Sequence, residues 1–171
     1  MMRDNRRRII DSRGEPRCRR TNAVDVVRPD GHFEAEDRVS VWIGSFPSRR
    51  DFDDYMAERW SESDEDSFPE CFFWQDLGLL WHDHDFQEAI FGQEVIAVGS
   101  LTLSLSWSDS FREPLLLACA ERGIDKGNAI VAMYEFDYPK TPAFRSPFLS
   151  YVGSFPYSTG GHPFRRNYFR S

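Results

Sequence analysis

The amino-acid sequence predicts an α+β fold. A single domain, with a mostly antiparallel or mixed sheet packed by two or three helices, follows a disordered basic N-terminal extension. Three observations predict this. Short apolar runs of strand period alternate with segments of helical period. Of the 171 residues, 40% are hydrophobic and 15% aromatic, enough to fill one core in a chain the length of one ordinary domain. The first 30 residues hold nine arginines and five acids with no apolar period, as expected of a chain that cannot bury enough surface to fold. The expected boundaries are 1–36 for the extension, 37–157 for the domain and 158–171 for a loose tail.

The first ordered element is Arg38–Ile43, a β-branched and aromatic run that reads as a strand stopped by Gly44-Ser45-Phe46-Pro47. Ser48 then has the character of a helix N-cap, and Asp51 suits the positive helix end. Phe52, Tyr55, Met56 and Trp60 recur at helical spacing and define one buried face. Ser61–Ser67, with four acids in seven residues, reads as a solvated loop. Phe68–Gly78 reads as a short helix with Pro69 in its first turn and Gly78 at its end. Leu79–His82 reads as a second strand, and residues 86–94 fit helix or strand equally.

From Val95 to Trp107 the alternation of Leu101, Leu103, Leu105 and Trp107 with Thr102, Ser104 and Ser106 predicts a half-buried strand. A helix is expected from Ser108-Asp109-Ser110, with Phe111, Leu115, Ala118, Cys119 and Arg122 along one face and a stop at Gly123-Ile124. Pro114 is tolerable there because it falls in the first turn. Asn128–Tyr138 is the clearest strand, with Ala129, Val131 and Met133 on one side and Ile130, Ala132, Tyr134, Phe136 and Tyr138 on the other. Pro139, Pro142 and Pro147 mark a loop. Phe148–Val152 is the last strand, broken by Gly153. Gly44-Ser45-Phe46-Pro47 recurs as Gly153-Ser154-Phe155-Pro156, which suggests two equivalent strand exits, although two copies do not make a repeat fold.

Charge narrows the function. The chain carries a formal −7, but residues 31–164 alone carry −14, flanked by +4 before and +3 after. A body of that sign repels phosphates, so no nucleic-acid partner is expected, and a basic partner suits it better. The basic head reads as a loose extension rather than a nucleic-acid or membrane arm, because acids interrupt the arginines and no helix face collects them. No run approaches the roughly 20 apolar residues that cross a bilayer, and the head has no secretory pattern, so no membrane partner is expected. Cys18, Cys71 and Cys119 are odd in number and lack a CxxC spacing, which fits free thiols in a reducing cytoplasm.

Among possible chemical sites the sharpest is His82-Asp83-His84-Asp85 with Glu88 behind it. In a strand the two imidazoles would share a face and could hold a divalent metal for hydrolysis, with carboxylates orienting them. The other histidines, His32 and His162, lie in the expected tails, so a third ligand is wanting, and a polar strand end explains the cluster as well. No P-loop, nucleophile elbow or dinucleotide fingerprint is present. No cofactor is called for. The aromatics Trp42, Phe52, Tyr55, Trp60, Phe72, Trp74, Trp81 and Trp107 fall mostly at core-facing spacings. Any that stand exposed in an acidic rim would resemble the anchors of a protein-binding surface.

Val39–Phe46, Asp51–Tyr55 and Trp81–Ala89 together resemble the immunity protein 22 family of bacterial polymorphic toxin systems, formerly a domain of unknown function. Asn128–Tyr138 and Gly153–Tyr157 are similar to it as well, so the resemblance covers about residues 38–157. It implies a small cytoplasmic α+β protein, without enzymatic activity, that protects the producing cell by binding and neutralising a cognate or related toxin. Many such toxins are nucleases, hence basic. The residues matching the family-like motifs are Trp42, Gly44, Phe46, Tyr55, Trp81, Asp83, Asp85 and Glu88. Whether these touch a toxin or hold the fold stays open at this level. A metal-dependent hydrolase and a general interaction module remain the alternatives.

Overall fold

A computed structural model describes residues 33–60, 69–79, 83–139 and 144–160. The expected Arg-rich extension, acidic loop, His82 and C-terminal tail fall wholly or mostly outside those residues. Strands β1 (Glu34–Gly44), β2 (Gln87–Ala97), β3 (Lys126–Phe136) and β4 (Leu149–Pro156) form one sheet in the order β2-β3-β1-β4. Every neighbouring pair is antiparallel. Helices α1 (Arg49–Met56) and α2 (Phe72–Leu77) precede β2, and α3 (Val98–Leu101) and α4 (Arg112–Glu121) follow it. The α+β expectation holds. β1 begins three residues ahead of the domain start placed at 37.

Strand alternation builds two cores, one on each face of the sheet. Val39, Val41 and Ile43 of β1 join Ile130, Ala132 and Tyr134 of β3 beneath Leu101, Leu105, Phe111, Leu115 and Cys119. Trp42 joins Ala129, Val131 and Met133 beneath Phe52 and Tyr55 of α1 and Phe73, Trp74 and Leu77 of α2. The sheet is therefore buried on both sides, with α1 and α2 on one face and α3 and α4 on the other.

Several elements form for the reasons the sequence supplies. Ser48 accepts the Asp51 N–H at 3.2 Å and caps α1. Gly78, at φ 74°, ends α2, and Gly123, at φ 69°, follows α4 while Ile124 N–H reaches Cys119 O at 2.9 Å. Pro114 is the third residue of α4, inside the first turn. Residues 87–97 are strand throughout.

Other expectations give way. α1 stops at Met56, because Arg59 leaves the helix to pair with Glu70 through reciprocal backbone bonds of 2.8 and 2.9 Å. Trp60 consequently lies off the helix and 64% exposed. The same bridge keeps Pro69 out of α2, which starts at Phe72. Leu79 is no strand residue: its N–H closes α2 on Trp74 O at 2.8 Å, and residues 80–82 lie outside the described set.

The Leu-Ser alternation after Val98 is helical, not extended. α3 runs into a 3-10 turn at Thr102–Ser104, and Leu101 and Leu105, one helical turn apart, are buried while Leu103 is 60% exposed. Ser108–Ser110 forms a separate 3-10 turn, so α4 starts only at Arg112. In β3, Glu135 adopts φ 52° opposite a bulge in β1 at Asp37, φ 58°, whose N–H donates to the Glu135 carboxylate at 3.0 Å. That irregularity shifts the alternation by one. Phe136 and Tyr138 therefore join the Trp42 side rather than the Tyr134 side. Gly153 does not break β4; it sits beside a bulge opposite Val41 and Trp42. The two Gly-Ser-Phe-Pro segments are thus not equivalent, since the first leaves β1 and the second lies within β4.

Candidate functional site

The motif residues separate into two groups. Trp42, Phe46 and Tyr55 are buried in the α1/α2-side core. Trp42 is wholly enclosed by the rings of Phe73, Tyr138, Phe144 and Tyr151 at 5.3–6.0 Å between centroids. Phe46 follows β1 and is held by Asn128, whose Oδ1 accepts the Phe46 N–H and whose Nδ2 donates to the Phe46 carbonyl, both at 2.9 Å. Gly44 lies where the chain crosses the backbone of Phe148 and Leu149, with no room for a Cβ. Tyr55 donates to Asp76 at 2.6 Å and lies 2.9 Å from Ser146 Oγ. These four residues build the scaffold.

The second group sits where the chain enters β2. Asp83 caps a 3-10 turn over His84–Phe86 by accepting the Asp85 N–H at 3.0 Å. His84 and Asp85 therefore do not alternate across a strand, as the metal reading required. The His84 imidazole lies 3.6 Å from Glu58 and 3.7 Å from Asp85, an exposed arrangement that ties the end of α1 to this turn. Glu88 turns inward, accepting the Ser106 N–H at 2.9 Å and lying 3.2 Å from the Tyr134 hydroxyl. No group of three metal-ligating side chains occurs among the described residues. Trp81 and His82 are outside them.

Two residues that spacing assigned to the core stand outside it. Trp60 is 64% exposed and Phe72 46%. The Arg59 guanidinium lies 4.6 Å above the Phe72 ring, a cation–π contact, and donates to Asp54 O at 2.7 Å. Arg59 is bridged to Glu70, and its neighbour Glu58 meets His84, which lies against Asp85. The one sequence signal for it was the run of acids on either side of Trp60.

The immunity protein 22 family model matches residues 39–158, from the buried run of β1 to just past β4. The chain belongs to the immunity protein 22 family. Both faces of the sheet fall inside the match, so it covers the scaffold residues and the exposed aromatic pair alike. No curated protein matches the chain, and no solved structure does. Membership of the immunity protein 22 family supports a role in immunity to a toxin. No helix among the described residues is long and apolar enough to cross a membrane. Cys71 and Cys119 are free and buried.

In this immunity protein 22 domain one scaffold contact carries a pH signature. Burial raises the Asp76 carboxyl above the ordinary carboxylate range, with the Tyr55 bond opposing it in part. Burial, then the Asp76 bond, raises the Tyr55 hydroxyl, which stays protonated as the donor. The folded state thus holds the Asp76 proton more tightly than the unfolded chain. Its contribution to stability is full below the unfolded value, about 3.9, and is lost as pH rises through the folded value. Asp76→Asn keeps an acceptor for Tyr55 and is expected to remove that loss. Urea midpoints from pH ~4 upward should show the variant gaining on the wild type as pH rises and matching or exceeding it at neutrality.

Proposed function

We propose that the chain is an immunity protein that binds a cognate or related polymorphic toxin directly and neutralises it by covering the toxin's working surface. It breaks no bond and uses no cofactor. The observation that carries this reading is the family match over 39–158. The toxin is basic, as a nuclease would be, since the charge of −14 over residues 31–164 suits association with a positive surface. The protein acts in the cytoplasm, where buried free thiols such as Cys71 and Cys119 persist. The domain of residues 37–157 carries the activity, and the segments 1–36 and 158–171 flank it.

A bacterium producing the cognate toxin should survive when the chain is co-expressed and die when it is not; death in both cases contradicts the reading. Electrostatic steering has a separate signature. Reversing Asp64, Glu65 and Asp66 to lysine should slow association by about tenfold at low salt and much less at high salt. Stopped-flow rates that match wild type at both salt concentrations would remove steering from the account.

A further inference from the structure

The charge of the chain is concentrated in one stretch. Residues 58–85 hold nine acids and a single base, Arg59, a net −8 against −7 for the whole sequence. The structure brings the two ends of that stretch together. Glu58 meets His84 at 3.6 Å, Arg59 and Glu70 exchange backbone bonds, and Tyr55 holds Asp76. Glu58, Glu70 and Asp85 are thereby linked through Arg59 and His84 beside the α1/α2 layer. Trp60 and Phe72, two exposed aromatic rings, adjoin Arg59, the first as its neighbour in the chain and the second beneath its guanidinium.

Among the described residues, other surfaces do not combine these properties. The acids Asp53 and Asp54 of α1 are matched by Arg49 and Arg50 at 2.8 and 3.7 Å, so that face is close to neutral. On the opposite side of the sheet, Leu117 of α4 is 63% exposed, but Arg112 and Arg122 balance Glu113 and Glu121. An open groove of about 420 Å³ between α3 and α4 is lined mainly by Val98, Leu116, Cys119 and Ile124, with Asp125 its one acid and no aromatic ring in its wall.

We propose that Glu58, Trp60, Glu70, Phe72 and Asp85 form the docking surface for an arginine-bearing segment of the toxin. Trp60 is the central anchor and the carboxylates hold the flanking cations. Phe72 already carries a guanidinium, that of Arg59, over its face. A large exposed indole in an acidic border offers an incoming arginine the same stacking with less desolvation of the surroundings, and Trp and Arg are the residues that dominate interface energetics. The proposal rests on the toxin-binding reading above.

The test is calorimetric titration of the full chain and its variants with the cognate toxin domain. Trp60→Ala should weaken binding roughly tenfold or more while its melting temperature stays at the wild-type value, since the ring is mostly in solvent. Glu58→Lys with Asp85→Lys should weaken binding more at low salt than at high salt. Leu117→Ala, on the far face, should bind within about twofold of wild type. Wild-type binding that is unchanged in Trp60→Ala, or lost in Leu117→Ala, overturns this surface alone. A wild-type chain that does not bind the toxin overturns the toxin-binding reading and the surface with it.

Discussion

Gly44→Ala is expected to destabilise the fold by about 3 kcal/mol or more, at the upper end of overpacking changes. A Cβ at position 44 would lie 1.8 Å from the Phe148 carbonyl oxygen, 2.8 Å from its carbon and 2.9 Å from Leu149 Cα. All three are backbone atoms, so no side chain can swing aside. Relief requires moving the start of β4 away from β1, which breaks the Ser45 N–H bond to Phe148 O at 3.0 Å and the Gly44–Leu149 pairing. The same end of β1 is closed from the other side, where Gly127 approaches the Gly44 carbonyl. Gly78 offers the contrast. It has open space around it but φ 74°, so Gly78→Ala should cost only about 1–2 kcal/mol of backbone strain. Urea unfolding of the two variants separates steric conflict from conformational preference.

Trp42→Ala should cost about 3–5 kcal/mol, the range for emptying a large aromatic site that cannot collapse. Four rings surround Trp42, one of them, Phe73, edge-on at 5.4 Å. Sheet backbone fixes the remaining side, because β1 is an interior strand paired with both β3 and β4. Trp42→Phe should be much milder for a specific reason. The indole N–H is buried and has no acceptor among the described residues, so the smaller ring removes an unsatisfied donor along with some packing. If the alanine variant protects against toxin less well, the loss should track its unfolded fraction, and the folded fraction should bind with wild-type affinity. Circular dichroism melts alongside binding titrations distinguish this from a direct contact role.

Much of the scaffold is legible in the sequence because local chemistry and tertiary structure agree there. Ser48 and Asp51 mark the start of α1, Phe111, Leu115 and Cys119 mark the buried stripe of α4, and the apolar run from Asn128 marks β3. The failures are places where a distant partner decides. Trp60 fits the periodicity of α1 and is removed from it by Glu70, eleven positions away from Arg59. The Leu-Ser segment satisfies both a two-residue and a four-residue period, and packing of Leu101 and Leu105 against the sheet selects the latter. Gly153 reads as a stop, yet the bulge beside it in β4 accommodates it.

The candidate site shows the same division. Family-like motifs identify positions the fold depends on, and Trp42, Gly44, Phe46 and Tyr55 are of that kind. Exposure of Trp60 and Phe72 is invisible to spacing, because it follows from a bridge between residues on either side of an acidic run. Only the charge of that run, −8 over residues 58–85, could have singled out the region.

We propose neutralisation by direct, non-covalent coverage. The purified chain can be titrated into the purified cognate toxin domain while the toxin's own activity is followed. Activity is expected to fall linearly to baseline at one equivalent and to return in full when the complex is dissociated and the toxin recovered. Toxin that stays fully active in a tenfold excess of the chain, or that is recovered permanently altered, would contradict it.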